Sequence, residues 1–325
     1  MSLLSPQSLE YLREGKNLLA FSAGVDSSAL FFLLREAGIT FDIALVNYRT
    51  RTASDREADH ARQLAHTHGL ACHIETITLP ASNFEHRARA ARYAFFERLI
   101  ARHGYDTLIT AHQLDDRLEW MLMQLTKGAG VVEMAGFSEI EAREGYRIVR
   151  PLLESDKASL LAYLHRHDLP YFVDKSNRSD RHRRNDFRER FAAPLLAQYR
   201  EGIRRSFRYL QRDSAALFAL EILERHAEYY RLRRSGDEDR DIRQIDRILK
   251  RLGYLLSAAQ KREIIRQREC VVSDSFVVAL TEEAIHIAPC RRDTMPKSFK
   301  EACRKAAIPP KIRPYLYTIG YMPSE

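Results

Sequence analysis

The run Ser22-Ala23-Gly24-Val25-Asp26-Ser27-Ser28 stands between an apolar stretch at 18–21 and a second one beginning at Ala29. Small residues and hydroxyls there coincide with the start of a predicted helix, whose first N–H groups have no partner within the helix, so the run is an anion site. The plainer alternative is a Ser/Asp-capped helix start after a turn. Placement at the end of the first strand of a βαβ unit favours phosphate. No lysine follows as in GxxxxGK(S/T) and no GxGxxG occurs, which argues against a kinase-type NTPase or a dinucleotide enzyme.

A second constellation is His112, Asp116 and Glu119, spaced i, i+4 and i+7. One helical face would then present an imidazole and two carboxylates, able to hold a cation and to accept or relay a proton. A favourable contact with the helix dipole accounts for Asp115 but explains Glu119 poorly. A third is basic. Arg200, Arg204, Arg208 and Arg212 recur every four residues, and Arg181, Arg183, Arg184, Arg188 and Arg190 crowd the decade before them. If 199–213 is helical, the first set forms a positive stripe suited to RNA phosphates.

The elements that must carry these groups alternate. Residues 17–21, 41–47, 72–77 and 105–110 read as strands apolar on both faces, with helices near 26–37, 54–68, 83–103 and 113–126, the second opened by a Ser54 cap and Glu57. This βαβ rhythm predicts an α/β fold with a doubly wound, Rossmann-like parallel sheet, whose ligands sit at the carboxyl edge of the strands. A capped helix follows from Ser155 to about His167, then an Arg-rich loop. Residues 199–234 and 239–268 read as helical, 270–280 and 284–288 as a hairpin, and 296–317 as one basic helix with a Pro309-Pro310 turn. The expected division is 1–200 as the catalytic domain, 201–269 as a helical RNA-binding domain and 270–325 as a small α+β region contacting RNA.

A chain of 325 residues, 45% of them hydrophobic, can build a core in each of about two domains. Its 52 Lys+Arg against 44 Asp+Glu give a net charge of +8. That excess starts where the first domain ends. Apolar runs fall well short of the roughly 20 residues of a membrane helix and no secretory pattern opens the chain, so a cytoplasmic location is expected. Cys72, Cys270, Cys290 and Cys303 include no CxxC pair for zinc, an iron–sulfur cluster or a persulfide.

The first loop resembles the SGGxDS loop of the PP-loop ATP-pyrophosphatase superfamily, with Ala23 in place of one glycine. Members split ATP between the α and β phosphates to adenylate a substrate oxygen. The resemblance implies that Ser22, Gly24, Asp26 and Ser27 contact pyrophosphate, that Ala23 and Val25 complete the ATP loop, and that Asp26 also approaches Mg²⁺. Further segments narrow it to the tRNA(Ile)-lysidine synthetase family. Leu45-Val46-Asn47-Tyr48 resembles its HVNH, with Asn47 at the adenine; residues 85–93 resemble its E-x-x-A-R-x-x-R-Y helix, bearing Arg89 and Arg92. Residues 111–120 resemble AHHxxDxxET, with Gln113 and Trp120 as departures, and 127–130 its RGSG turn. Arg150-Pro151-Leu152-Leu153, Asp174-Lys175-Ser176-Asn177 and 184–188 resemble RPLL, DxSN and RNxxR. Coverage is nearly continuous from 17 to about 196.

The family reaction converts the wobble cytidine of an isoleucine tRNA with a CAU anticodon to lysidine. Through this resemblance Asp26, His112, Asp116 and Glu119 are catalytic; Asp116 and Glu119 hold the lysine ammonium and Arg92 its carboxylate. Arg184, Asn185, Arg188, Arg204 and Arg208 contact tRNA. ATP, Mg²⁺, tRNA and free L-lysine are the expected ligands, a membrane is not, and a homodimer is carried by the resemblance alone. The alternatives are a tRNA thiolase of the same superfamily, which needs paired cysteines, and a non-catalytic tRNA-binding relative.

Overall fold

The computed structural model describes residues 2–49, 53–80, 82–173, 183–217 and 220–322. Two compact units divide it, 1–212 and 213–325.

The first unit opens with α1 (Pro6–Glu14), β1 (Asn17–Ala20), α2 (Val25–Glu36), β2 (Phe41–Asn47), α3 (Ala53–His68), β3 (Cys72–Thr76), α4 (Phe84–His103) and β4 (Thr107–Ile109). Next come α5 (Leu114–Leu125), α6 (Val131–Ala135), the antiparallel pair β5 (Ile140–Arg143) and β6 (Tyr146–Val149), and α7 (Lys157–Arg166). A short α8 (Arg183–Phe187), a π-helical turn Arg188–Ala192 and α9 (Ala193–Leu217) follow. The six strands lie in the order β3-β2-β1-β4-β6-β5, all parallel except β5.

Alternation along β1 shows why the sheet is wound on both faces. Leu19 joins a core with Leu30, Phe31, Ile43, Ala61, Ile109 and Leu164, under α2, α3 and α7. Its neighbour Leu18 joins the opposite core, with Phe95, Phe96, Leu99 and Leu108, under α4. Both leucines are fully buried, worth about 1.5–3 kcal/mol each.

The strand order reverses between β1 and β4, and their register pairs Leu19 with Ile109. The chain segments leaving the two strands therefore start at the same height on the carboxyl edge, the switch point where open α/β sheets hold ligands. The first carries Ser22 to Ser28 and the second His112 to Glu119. Two motifs some ninety residues apart in sequence are thereby made neighbours.

The second unit contains β7 (Ile222–His226), β8 (Tyr229–Arg233), α10 (Glu238–Arg251), α11 (Ala258–Gln267), β9 (Glu269–Val272), β10 (Phe276–Leu280), β11 (Ala284–Pro289), α12 (Lys297–Lys305) and α13 (Arg313–Thr318). The strands form one antiparallel sheet, β7-β8-β11-β10-β9. One face packs Leu232, Ile285 and Ile287 with Ile245 and Ile248 of α10; the other packs Tyr229, Val277 and Ala288 with Cys303 and Leu316.

Several expectations are corrected. Residues 222–233 form a hairpin, turned at Ala227 with φ 49°, rather than continuing a helix. Tyr229 and Leu232 are drawn into the sheet core, an outcome decided by strands more than fifty residues later. The compact units consequently part at 212/213, and the helices of 239–268 belong to the same unit as the C-terminal strands. Those helices are two, broken at Gly253 with φ 84°. Residues 269–289 make three strands, and 296–317 contains two helices. Ser54 lies inside α3, and Asp156, accepting from Ser159 N at 3.0 Å, caps α7. Among the described residues no helix is long and apolar enough to cross a membrane.

Candidate active site

The phosphate loop is pre-shaped by its own hydroxyls. Ser27 Oγ accepts from Ser22 N at 3.2 Å, lies 3.0 Å from Ser22 Oγ and donates to Gly24 O at 3.2 Å. From outside, Phe172 N donates to the Ala23 carbonyl at 2.8 Å and bridges alongside Gly24. Ala23 holds φ 58°, a left-handed conformation that favours glycine. The residue that departs from the family pattern thus adopts the backbone that explains a glycine there, and its buried methyl is accommodated in the core.

Asp26 stands in the first turn of α2. Its Oδ1 is buried with no hydrogen-bond partner. Burial pushes its carboxyl up to about 6; Lys157 opposes this, Asp116 and Asp115 add to it, and Arg188 opposes it. Those causes place Asp26 beside the start of α5, as the sheet topology requires. An orphaned carboxylate oxygen facing two other acids fits a hard divalent cation. Among the described residues no three His, Cys, Asp or Glu side chains converge as a metal-ligand cluster.

At α5 the acids are fixed by capping. Gln113 Oε1 accepts from Asp115 N at 2.5 Å, and Asp116 Oδ2 accepts from Gln113 N at 3.2 Å, completing a capping box. Gln113 is therefore the cap that orients Asp116. Asp115 Oδ2 accepts from Lys157 N at 3.0 Å, and its carboxyl is raised chiefly by burial. Glu119, one turn on, is completely buried. Arg188 spans the pair: its Nε donates to Glu119 Oε1 and its Nη2 lies 3.6 Å from Asp116 Oδ1.

His112 precedes the cap instead of lying on the helical face with Asp116 and Glu119, because α5 begins at Leu114. Its Nδ1 shares a hydrogen bond with Thr110 Oγ1 at 2.9 Å, and its ring lies against Phe137 at 4.8 Å. Trp120, the other departure, donates from Nε1 to Glu133 O at 2.7 Å and covers Gly136, where a Cβ would approach its ring to 3.1 Å. Lys157, Phe172 and Phe137 carried no motif signal. They are brought in by tertiary packing alone.

Other expected residues are used differently. Asn47 is buried; its Nδ2 donates to Asp55 at 2.7 Å, its Oδ1 accepts from Arg49 N at 2.9 Å and its carbonyl accepts from Ile77 N at 2.9 Å, so the backbone expected at adenine is partly engaged in the sheet. Tyr48 donates to Ala88 O at 2.7 Å, and the charge of Arg92 acts on that hydroxyl, which locates Arg92 at the end of β2. Residues 174–182, with Asp174 to Asn177, lie outside the described residues, as does the side chain of Arg184; Asn185 falls in α8.

The arginine stripe of α9 is not a free surface. Arg204 is buried, donating from Nε to Glu154 O at 2.8 Å and from Nη1 to Glu201 at 2.8 Å. Arg208 grips Glu154 with both prongs, at 2.7 and 2.5 Å, and Arg200 pairs with Asp156 at 3.0 Å. Arg188 is likewise turned inward onto α5. Of the arginines expected at tRNA, Arg188 is paired with Glu119 and Asp116 of α5, Arg204 with Glu201 of its own helix and the Glu154 carbonyl, and Arg208 with the Glu154 carboxylate.

The model of the PP-loop domain family matches residues 4–195. The tRNA(Ile)-lysidine synthase of Wolinella succinogenes is 44% identical over 98% of this chain and 98% of its own length. That of Helicobacter pylori is 43% identical over 95% of this chain and 91% of its own. Among solved structures, the U34-tRNA thiolase NcsA from Methanococcus maripaludis, with its 4Fe-4S cluster, matches at a TM-score of 0.50 and 17% identity, over 63% of this chain and 77% of that one. This last likeness concerns the fold alone. With the phosphate loop, the capped acids of α5 and near-full-length identity in agreement, the chain belongs to the tRNA(Ile)-lysidine synthase family of PP-loop proteins.

Proposed function

We propose that this protein uses ATP to join lysine to the wobble cytidine of an isoleucine tRNA with a CAU anticodon. The base carbonyl oxygen attacks the α-phosphorus of ATP and releases pyrophosphate. The lysine ε-amine then displaces AMP from the adenylated cytidine. The observation that carries this reading is the meeting of phosphate loop and paired carboxylates at one switch point, in a chain whose relatives of that name match it end to end.

Ser22, Gly24 and Ser27 supply the loop for pyrophosphate, with Ala23 and Val25 shaping it, and Asn47 marks the strand end beside the adenine. Asp26 would hold Mg²⁺, which when bound supplies charge neutralisation of the phosphates. The lysine ammonium, with a solution pKa of about 10.4, must lose a proton before attack, and Asp116 and Glu119 hold it and take that proton. Arg92 is assigned the lysine carboxylate, and His112 is counted with Asp26, Asp116 and Glu119 as a catalytic group. Contacts to tRNA fall to Arg184 and Asn185 and to the exposed Arg205 and Arg212 of α9.

A thiolase reading lacks its sulfur chemistry here. All four cysteines are free thiols, with Cys270 and Cys303 buried, and Cys72 and Cys290 stand in different units.

The test incubates the protein with isotopically labelled lysine, ATP, Mg²⁺ and total tRNA. Label should enter tRNA only when ATP is present, with one AMP formed per lysine. Incorporation of sulfur, or AMP release that ignores lysine, would refute the proposal.

A further inference from the structure

Arg188 occupies the position that the reaction needs for another cation. Its guanidinium bridges Glu119 and Asp116 of α5, and the charges of Asp116 and of Arg188 itself both act on Asp26 of the phosphate loop. Glu119 is wholly buried, and a buried carboxylate left without a cation is strongly disfavoured. The ligand-free protein therefore keeps a resident positive charge there. A guanidinium and an ammonium held at the same two carboxylates repel one another at close range, which sets the two cations in competition.

The mounting of Arg188 suits exchange. It begins a π-helical turn, a wider winding rare in proteins and frequent at functional sites, between the short α8 and α9. Its side chain keeps 26% of its surface exposed, whereas Glu119 has none, so the arginine has a route to water and its partner does not. Arg190, two residues on, already lies on the solvent side of the turn, paired with Asp186 at the surface.

We propose that Arg188 is the resident counter-ion of the amine site, occupying Asp116 and Glu119 until the lysine ammonium displaces it. The inference rests on the reading of Asp116 and Glu119 as the lysine site. It makes Arg188 a positioning residue that competes with substrate, and it selects for a ligand whose cation can take over both carboxylates. An apolar isostere such as norleucine cannot perform the exchange.

The test uses the full-length protein with ATP, Mg²⁺ and tRNA. In Arg188→Met the apparent KM for lysine should fall about tenfold, as expected when a competing closed state is removed. Methylguanidinium should then inhibit competitively against lysine in the variant and not in the wild type. An unchanged or raised lysine KM without such competition overturns the proposal, and a loss confined to tRNA affinity assigns Arg188 to the RNA and overturns it equally.

A second measurement needs no variant. Phenylglyoxal modification of Arg188, read by peptide mass spectrometry, should rise at least fivefold when lysine saturates the wild type and stay at its basal level with norleucine. Lysine that leaves Arg188 equally protected overturns the exchange. Failure of the underlying reading would show separately, as a wild type that incorporates no lysine at all.

Discussion

Two groups of charges in the first unit sit at similar helical spacing and meet opposite fates. Around α5, the charges of Asp116 and Asp115 act on Asp26, which keeps an unpartnered buried oxygen and whose carboxyl is lifted to about 6, chiefly by burial. Along α9, Arg200 pairs with Asp156, Arg208 with Glu154, and Arg204 with Glu201 of its own helix and the Glu154 carbonyl, and Arg208 holds the Glu154 carboxyl below its ordinary range against the opposing effect of burial. One region leaves a buried carboxylate oxygen of Asp26 unpartnered, the other pairs each of these arginines. The contrast separates a site waiting for ligand from a seam that joins α9 to the chain before α7, and repetition of a charge along a helix does not by itself tell them apart.

The contrast breaks most visibly at Asp26. Asp26→Ala or Ser27→Ala should lower AMP formation by about 10²–10³-fold, the usual cost of removing a preorganised electrostatic group, with tRNA affinity nearly intact. Quenched-flow assay of AMP with filter binding of tRNA checks both arms; turnover at wild-type rate would remove the loop from the mechanism.

Next in size is Glu119→Gln, which keeps the shape and removes one charge from the pair. The lysine requirement should rise by roughly tenfold or more, about 1.4 kcal/mol per decade, while the KM for ATP changes little. Adenylated tRNA should accumulate. A fall in ATP affinity with unaltered lysine dependence would transfer the pair to the nucleotide or its metal.

The seam predicts a stability effect in place of a binding one. Arg204→Ala strips a buried carbonyl of its donor and should destabilise the fold by about 1–3 kcal/mol, whereas Arg208→Ala, at a half-exposed pair, should cost about 1 kcal/mol or less. The salt dependence of tRNA binding should stay as it is in both. A flattened slope of log K against log salt would restore these arginines to the RNA surface.

The acid corner has the opposite signature. Because the folded pKa of Asp26 lies above its unfolded value of 3.8, the folded state binds the proton more tightly. The stabilisation this gives is fully present below 3.8 and is lost as pH rises toward about 6. Asp26→Asn should therefore raise the melting temperature of the ligand-free protein at pH 7 while abolishing activity. A lowered melting temperature there would mean the carboxylate supports the fold. The smallest effect is expected at Ala23, where replacement by Gly relieves the left-handed backbone but frees the unfolded chain, for a net change of about 0–1 kcal/mol by thermal melting.

Much of this architecture can be read from the chain. The apolar runs that became β1 to β4 and the helices between them follow local periodicity, and the resemblance in residues 22–28 and 111–119 found the two segments that meet at the switch point. What escaped depends on distant partners. Glu154 lies 54 residues from Arg208, and Glu119 lies 69 residues from Arg188, so no spacing rule reveals either pairing. The hairpin 222–233 turns on Ala227 and not on Gly or Asn, which removed its local signal. Gln113 reads as a lost histidine until its capping bond to Asp115 N is seen.

The most direct test of the account is a single-turnover reaction of tRNA with ATP, Mg²⁺ and lysine, followed by mass spectrometry of the anticodon nucleosides in wild type and Glu119→Gln. The wild type should convert the wobble cytidine to a lysine adduct, and the variant should stall at the adenylated cytidine until lysine is raised. A wild type that modifies another base, or a variant indistinguishable from it at limiting lysine, would contradict the assignment of the paired carboxylates to the amine.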